Sequence, residues 1–281
     1  MVISSPTVAD SFEDVEVELL LEDIYRHYGY DFRDYARGSL RRRIRDRVRA
    51  EKLQSISGLK EKVLHDRAAM ERLLIGISIN VSAMFRDPTF YRSFRQKVVP
   101  LLRTYPFIRI WHAGCSSGEE VFSLAILMLE ENLYHRCRFY ATDMNEVVLK
   151  RASDGIFPLT AMRRYTANYI EAGGKASFSE YYTAHYDSAI FRPSLRENMV
   201  FAAHNLAVDG SFNEFHVVMC RNVMIYFNSA LQSRVHELFL RSLAPLGFLA
   251  LGSKESLQPA PYRLRYRDFD ADERIYRQRP S

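Results

Sequence analysis

The stretch Ile108–Ala125, IRIWHAGCSSGEEVFSLA, decides how this chain folds. It reads as a buried strand over Ile108 to His112, a turn of small residues from Ala113 to Gly118, and an amphipathic helix starting near Glu119. Gly114 and Gly118 let the backbone come close to a ligand, and Ser116 and Ser117 are placed to cap the helix. Glu119 and Glu120 fall in the first helical turn, where they already answer part of an anion's site. Phosphate therefore fits poorly, since no GxxxxGK[ST] lysine follows and GxGxxG spacing is absent. A cationic ligand with an amino group fits better. The plainer alternative is an ordinary strand-to-helix turn with capping serines.

The 281 residues allow one large domain or two smaller ones, and 47% hydrophobic with 26% charged residues is the profile of a soluble globular protein. No apolar run approaches a membrane span and the N-terminus lacks a signal-peptide pattern, so the expectation is a cytoplasmic protein without membrane insertion. Cys115, Cys137 and Cys220 have no C-x-x-C spacing, which suggests reduced thiols and no metal site. The net charge of +5 comes with 32 arginines against seven lysines. Guanidinium suits bidentate contact with carboxylates or phosphates, although genomic composition gives the same excess.

Upstream of the deciding stretch, about ten residues look disordered. Helical spacing of Leu19, Leu20, Ile24 and Tyr28 predicts a helix over about 16–28, ended by Gly29. A second helix, about 35–53, carries Leu40, Ile44 and Val48 on one face and Arg41, Arg42, Arg43, Arg45, Arg47 and Arg49 around the rest. That basic helix is either a solvated face or a docking surface for an acidic partner. Nucleic acid fits less well, because no aromatics interleave for base stacking. Two more helices lie between 57 and 79. Next comes INVSAMFRDPTFY, where Asn80, Ser82 and Arg86 sit in a loop before a helix that Asp87 caps and Pro88 begins. The following helix, about 90–105, kinks or ends near Pro100.

Downstream, a strand over Arg138–Thr142 ends in Asp143. An acidic residue there is placed to accept hydrogen bonds from a ribose diol, or to cap the next helix. Residues 155 to about 195 are aromatic-rich without sustained period and read as an insertion, a small helix plus a hairpin beside the cleft, with a lid or partner role. Strands over Met199–His204 and Phe215–Cys220, a helix over Ser229–Leu243, a Pro245-Leu246-Gly247 turn, and strands over Gly247–Ser253 and Arg274–Arg277 complete an α/β alternation. Gly114, Asp143, Asn205 and Arg221 all fall beyond carboxyl ends of strands, where open α/β sheets bind ligands.

Taken together, NVSAMFRD, AGCSSGEEVFSLA, ATDMN, HNL and CRNVMIYF resemble the chemotaxis receptor methyltransferases, the CheR family, over nearly the whole chain. The resemblance implies a class I, Rossmann-like methyltransferase with a mostly parallel seven-stranded sheet. It implies an all-helical N-terminal docking domain over 12–79 and a transferase domain over 80–281, with the inserted subdomain at about 155–197. The implied activity is methyl transfer from S-adenosylmethionine to glutamate side chains of chemoreceptors or a related signalling protein, leaving S-adenosylhomocysteine and needing no metal. A non-catalytic S-adenosylmethionine-sensing module is the alternative. By the same resemblance Asn80, Ser82 and Arg86 meet cofactor and substrate. Glu120 holds the methionine amino group, Gly114 lines the turn, Asp143 binds ribose, and Asn205 with Leu206 contacts adenine. Cys220 and Arg221 close the far side, and Arg86 and Tyr226 act at the reacting centre. Arg41, Arg42, Arg45 and Arg49 would face the acidic helical methylation region of a receptor. Ser82 stands where threonine is usual, Met84 and Phe122 replace aromatics, and Lys254 stands where histidine is frequent. The insertion is longer than the glycine-turn hairpin with which some members bind a receptor tether.

Overall fold

Amphipathic periodicity builds the N-terminal part, and alternating strands and helices build the rest. A computed structural model describes residues 8–78, 82–257 and 261–280, and the chain divides into two compact units, Met1–Ile79 with Tyr226–Gln232, and Asn80–Ile225 with Ser233–Ser281.

The first unit holds α1 (Val8–Tyr28), α2 (Arg37–Ala50), α3 (Ile56–His65) and α4 (Arg67–Ile77). Ser55 and Asp66 start α3 and α4 by accepting the N–H of Gly58 at 3.1 Å and of Ala68 at 2.9 Å. Leu20, Ile24, Leu40, Ile44, Leu59, Leu73 and Ile77 form its interior. Two expectations fail here. The first helix begins at Val8, within the stretch read as disordered, and Leu19 is half exposed while Val17 and Leu21 turn inward. Three consecutive leucines leave the helical phase ambiguous by one residue, and packing decides it. Residues Tyr226–Gln232 group with these helices through Ala36 N–H to Tyr226 O at 2.7 Å and the rings of Tyr35 and Phe227, 5.0 Å apart.

Glu51 ties the end of α2 to its neighbours, accepting from Arg72 at 2.7 Å and Lys62 at 2.7 Å. Those two cations lower its carboxyl from the usual 4.5 to about 2. A depressed folded-state value means the contribution is fully present above pH 4.5 and is lost as pH falls toward 2. Acid titration followed by helical circular dichroism is expected to show Glu51→Gln flattening the loss of stability in that window. A wild-type curve from the variant would contradict this.

In the second unit, α5 (Pro88–Ser93) passes through a π turn at Phe94–Val98 into α6 (Val99–Leu102), ahead of Pro100, whose ring removes a backbone donor. Then come β1 (Ile108–Ala113), α7 (Glu119–Glu130), β2 (Cys137–Asp143), α8 (Glu146–Asp154), β3 (Ile156–Pro158), α9 (Met162–Glu171), β4 (Tyr182–His185), β5 (Ser188–Phe191), β6 (Met199–Ala203), β7 (Phe215–Cys220), α10 (Ser229–Ser242), β8 (Leu243–Leu251), β9 (Tyr266–Asp270) and β10 (Ile275–Gln278). The main sheet runs β6-β2-β1-β7-β8-β10-β9, with β10 antiparallel to both neighbours and the other pairs parallel. Strand order reverses between β1 and β7, the switch point beyond whose carboxyl ends open α/β sheets bind ligands. The expected Pro245-Leu246-Gly247 turn is instead a bulge inside β8. Pairing jumps from Phe215↔Leu243 to Val217↔Phe248, and Leu246 takes φ 64°.

The insertion folds as the expected helix and hairpin, with β3, β5 and β4 in a small antiparallel sheet. Its aromatics are core. Phe157, Tyr165, Tyr169, Phe178, Tyr181 and Phe191 are buried, and Phe122 of α7 meets Phe157 and Phe191 at 5.5 Å. One carboxylate oxygen of Glu130 accepts from Tyr169 Oη, from Tyr181 Oη at 3.0 Å and from Lys175 N–H at 2.8 Å. A buried carboxylate with every contact satisfied fixes where the insertion sits on α7.

Candidate active site

The turn after β1 is held in left-handed backbone, with φ 78° at Gly114, 50° at Ser116 and 93° at Gly118. The N–H groups of Gly114 and Cys115 both donate to Thr142 O at 2.8 Å, and Ser116 N–H donates to Asp143 Oδ2 at 3.0 Å. The turn is thus fastened to the end of β2. A Cβ on Gly114 would lie 2.6 Å from Val223 Cγ2, so glycine is required by the neighbouring loop as well as by φ. Gly114→Ala is expected to cost about 2–4 kcal/mol, from strain plus overpacking. Denaturant titration checks it, and a loss under about 0.5 kcal/mol would contradict the geometry.

Both capping expectations in this region are corrected. Gly118 is the N-cap of α7 and takes no side-chain hydrogen bond. Ser117 instead donates to Glu119 at 2.7 Å, and Ser116 does not cap α7. Asp87, in left-handed backbone at φ 57°, makes no cap bond to α5 either. Its carboxylate receives Arg221 Nη2 at 2.9 Å, and that long-range charge outcompetes the local N-cap geometry. For α8 the cap is Asn145, which accepts from Val147 N–H at 3.0 Å, leaving Asp143 for other work.

Two carboxylates stand at the switch point. Asp143 accepts from the N–H groups of Ser116 and Asn145, each at 3.0 Å, and burial pushes its carboxyl upward against those bonds. The N–H of Met144 bonds the same carboxylate, and of its roughly four acceptor sites one is left for a diol hydroxyl. Glu120 has His112 Nδ1 3.1 Å from Oε1 and Arg221 Nη1 3.4 Å from Oε2. Burial pushes Glu120 up, but the His112 bond and the Arg221 charge outweigh it and hold the carboxyl below its usual range.

Arg221 is buried, its guanidinium 4.0 Å from the Phe90 ring centre, and it reaches Asp87, Glu120 and the carbonyl of Arg86. It therefore braces the 82–87 loop against α7. Ser123 Oγ accepts Phe85 N–H at 2.8 Å, Asn168 Nδ2 donates to Met84 O at 2.9 Å, and Ser82 bonds the Glu119 carboxylate. With φ 51° at Phe85 and 57° at Asp87, this strained loop presents Arg86, which is partly exposed.

Of the other expected site residues, Asn205 accepts from Ala207 N–H at 3.0 Å in a tight turn after β6, and Leu206 is buried beside it. Cys220 is wholly buried, its thiol pushed up by burial, so it shapes the floor from within β7. Tyr226 groups with the helical unit, where the Arg43 guanidinium lies 4.9 Å over its ring. Asn80 lies outside the described residues. On α2, Arg41 pairs with Asp14 of α1 at 3.1 Å and Arg45 with Glu13, while Arg49 pairs with Asp46 at 3.5 Å and Arg42 is exposed.

Sequence reasoning missed Glu255. Its buried carboxylate accepts the N–H groups of Asn222, Val223, Met224 and Gly252 at 2.6 to 2.9 Å and so shapes the loop after β7. Burial raises its carboxyl against those four bonds. It also missed His112, the polar residue inside the apolar run of β1, which was the available signal.

The donor set suits S-adenosylmethionine, a ligand with an ammonium group and a ribose diol. Carboxylates answer both, and Ala113–Glu120 holds no basic residue for a phosphate. Sheet order and the carboxylates at the switch point fit a class I, Rossmann-like methyltransferase. Residues 80–271 match the SAM-binding domain of CheR methyltransferases and residues 16–75 their all-alpha domain, so the chain belongs to the CheR family. It is 50% identical to "Putative methyltransferase Cher3" of Pseudomonas putida KT2440, over 94% of this chain and 97% of that protein. It is 30% identical to the chemotaxis protein methyltransferase of Listeria innocua and 29% to that of Listeria monocytogenes, in each case over 86% of this chain and 90% of the relative. Among the described residues no helix is long and apolar enough to cross a membrane.

Proposed function

We propose that this chain is a cytoplasmic enzyme that methylates glutamate side chains of a chemotaxis receptor or a related signalling protein, giving methyl esters. The observation that carries the reading is the strained 82–87 loop, which offers Arg86 from the same braced assembly that fixes Glu120. The Listeria relatives are named chemotaxis methyltransferases, which supports the same direction.

When bound, S-adenosylmethionine supplies a methyl group already activated by its sulfonium. Glu120 takes the ammonium and Asp143 the ribose diol, while Asn205 and Leu206 border the adenine. Ser82 and Arg86 face the substrate side. A glutamate carboxylate is ionised at neutral pH, so no general base is needed. Arg86 grips one carboxylate oxygen and leaves the other to attack, and the contribution of the protein is alignment and exclusion of water. Arg221 and Cys220 are committed to shaping the pocket, Arg221 through Glu120 and Asp87.

The helical domain, 12–79, docks the acidic helical substrate through Arg41, Arg42, Arg45 and Arg49. Since exposed ion pairs are worth about 0–1 kcal/mol, carboxylates of a partner exchange readily with Asp14 and Glu13. The first test is isothermal titration with S-adenosylmethionine and S-adenosylhomocysteine. Saturable binding of either is expected, and none to folded protein would reject the reading.

A further inference from the structure

His112 has no exposed surface and stacks on Phe139 of β2, with ring centres 6.3 Å apart and planes 26° from parallel. Its Nδ1 lies 3.1 Å from Glu120 Oε1, across the turn that joins β1 to α7. Among the described residues nothing bonds Nε2. Glu120, held below the usual carboxyl range, is ionised and can only accept, so Nδ1 carries the hydrogen of this bond. The two oxygens of Glu120 therefore face donors from two different strands, His112 of β1 on one side and Arg221, just past β7, on the other.

We propose that His112 is a positioning residue for the cofactor. Its Nδ1–H fixes the rotation of the Glu120 carboxylate, and so sets how strongly the pocket reads the amino-acid end of the ligand as against its nucleoside end. This rests on the reading that Glu120 holds the ammonium group. A side chain that only filled space at 112 would support both ends of the ligand alike. One that aims Glu120 affects the amino-acid end alone.

Isothermal titration with S-adenosylhomocysteine and with 5′-methylthioadenosine, which lacks the amino-acid portion, separates these cases. His112→Gln carries its amide nitrogen toward the position of Nε2, whereas His112→Asn carries it toward that of Nδ1. His112→Gln is expected to weaken S-adenosylhomocysteine about tenfold while leaving methylthioadenosine within about twofold, and His112→Asn to keep the wild-type ratio. Should His112→Gln melt early, His112→Leu gives the same comparison. Equal weakening of both ligands, or an unchanged ratio, overturns the proposal. Glu120→Gln is the companion variant. If it too leaves the ratio unchanged, the reading of Glu120 has failed, whereas a lost ratio there with an intact one in His112→Gln rejects His112 alone.

Discussion

Asp143→Ala is expected to weaken S-adenosylhomocysteine binding about 100-fold. The carboxylate sits at the end of β2, and the N–H groups of Ser116 and Asn145 take up only part of its accepting capacity. A ribose hydroxyl bonded to a charged, buried acceptor at up to about 3 kcal/mol gives that factor. The substitution also strips those two N–H groups and that of Met144 of their acceptor, so Asp143→Asn, which keeps one oxygen, is the companion and should lose about tenfold. Titration calorimetry on protein checked by thermal melting measures both. Affinity within threefold of wild type in a folded Asp143→Ala protein would show that ribose is bound elsewhere.

Arg86→Ala is expected to lower methyl transfer about 1,000-fold while S-adenosylhomocysteine binding falls less than tenfold. The asymmetry follows from its role. A residue that grips the attacking carboxylate acts on alignment, where well-placed groups supply several kcal/mol of the barrier, and contributes little to holding a cofactor already fixed by Glu120 and Asp143. Single-turnover transfer with saturating cofactor checks this. Unchanged transfer would remove Arg86 from the mechanism, and a parallel loss of binding and transfer would make it chiefly a cofactor ligand.

Much of the fold was legible because its signals are local. The apolar run of β1, the small-residue turn and the acid closing β2 sit within one βαβ unit, and Gly114 and Asp143 stand out there as candidates without knowing what lies across the sheet, whereas only the family resemblance separates Glu120 from Glu119. The errors share a cause, which is that a distant partner outweighed a local preference. Asp87 fits an N-cap pattern, but Arg221, 134 residues away, takes its carboxylate. Ser116 and Ser117 fit another, but left-handed Gly118 starts the helix and Asp143 captures the Ser116 N–H. Glu255 gave no local signal and His112 only that of a polar residue in an apolar strand, because their roles exist only once β1, α7 and the loop after β7 are brought together. Aromatic richness in the insertion is spent at least partly on burial, with Tyr169 and Phe178 against Phe85 and the hydroxyls of Tyr165 and Tyr169 on Glu119 and Glu130 of α7.

The central claim is that the product is a carboxyl methyl ester, and its alkali lability tests this most directly. The protein would be incubated with methyl-labelled S-adenosylmethionine and with soluble and membrane fractions of cells lacking its own gene, and the labelled acceptor proteins then treated with mild base. The account predicts label that is released as volatile methanol and that is absent with Arg86→Ala. Label that stays on protein through alkali would contradict glutamate esterification, and cofactor binding with no transfer to any fraction would favour a sensing module over an enzyme.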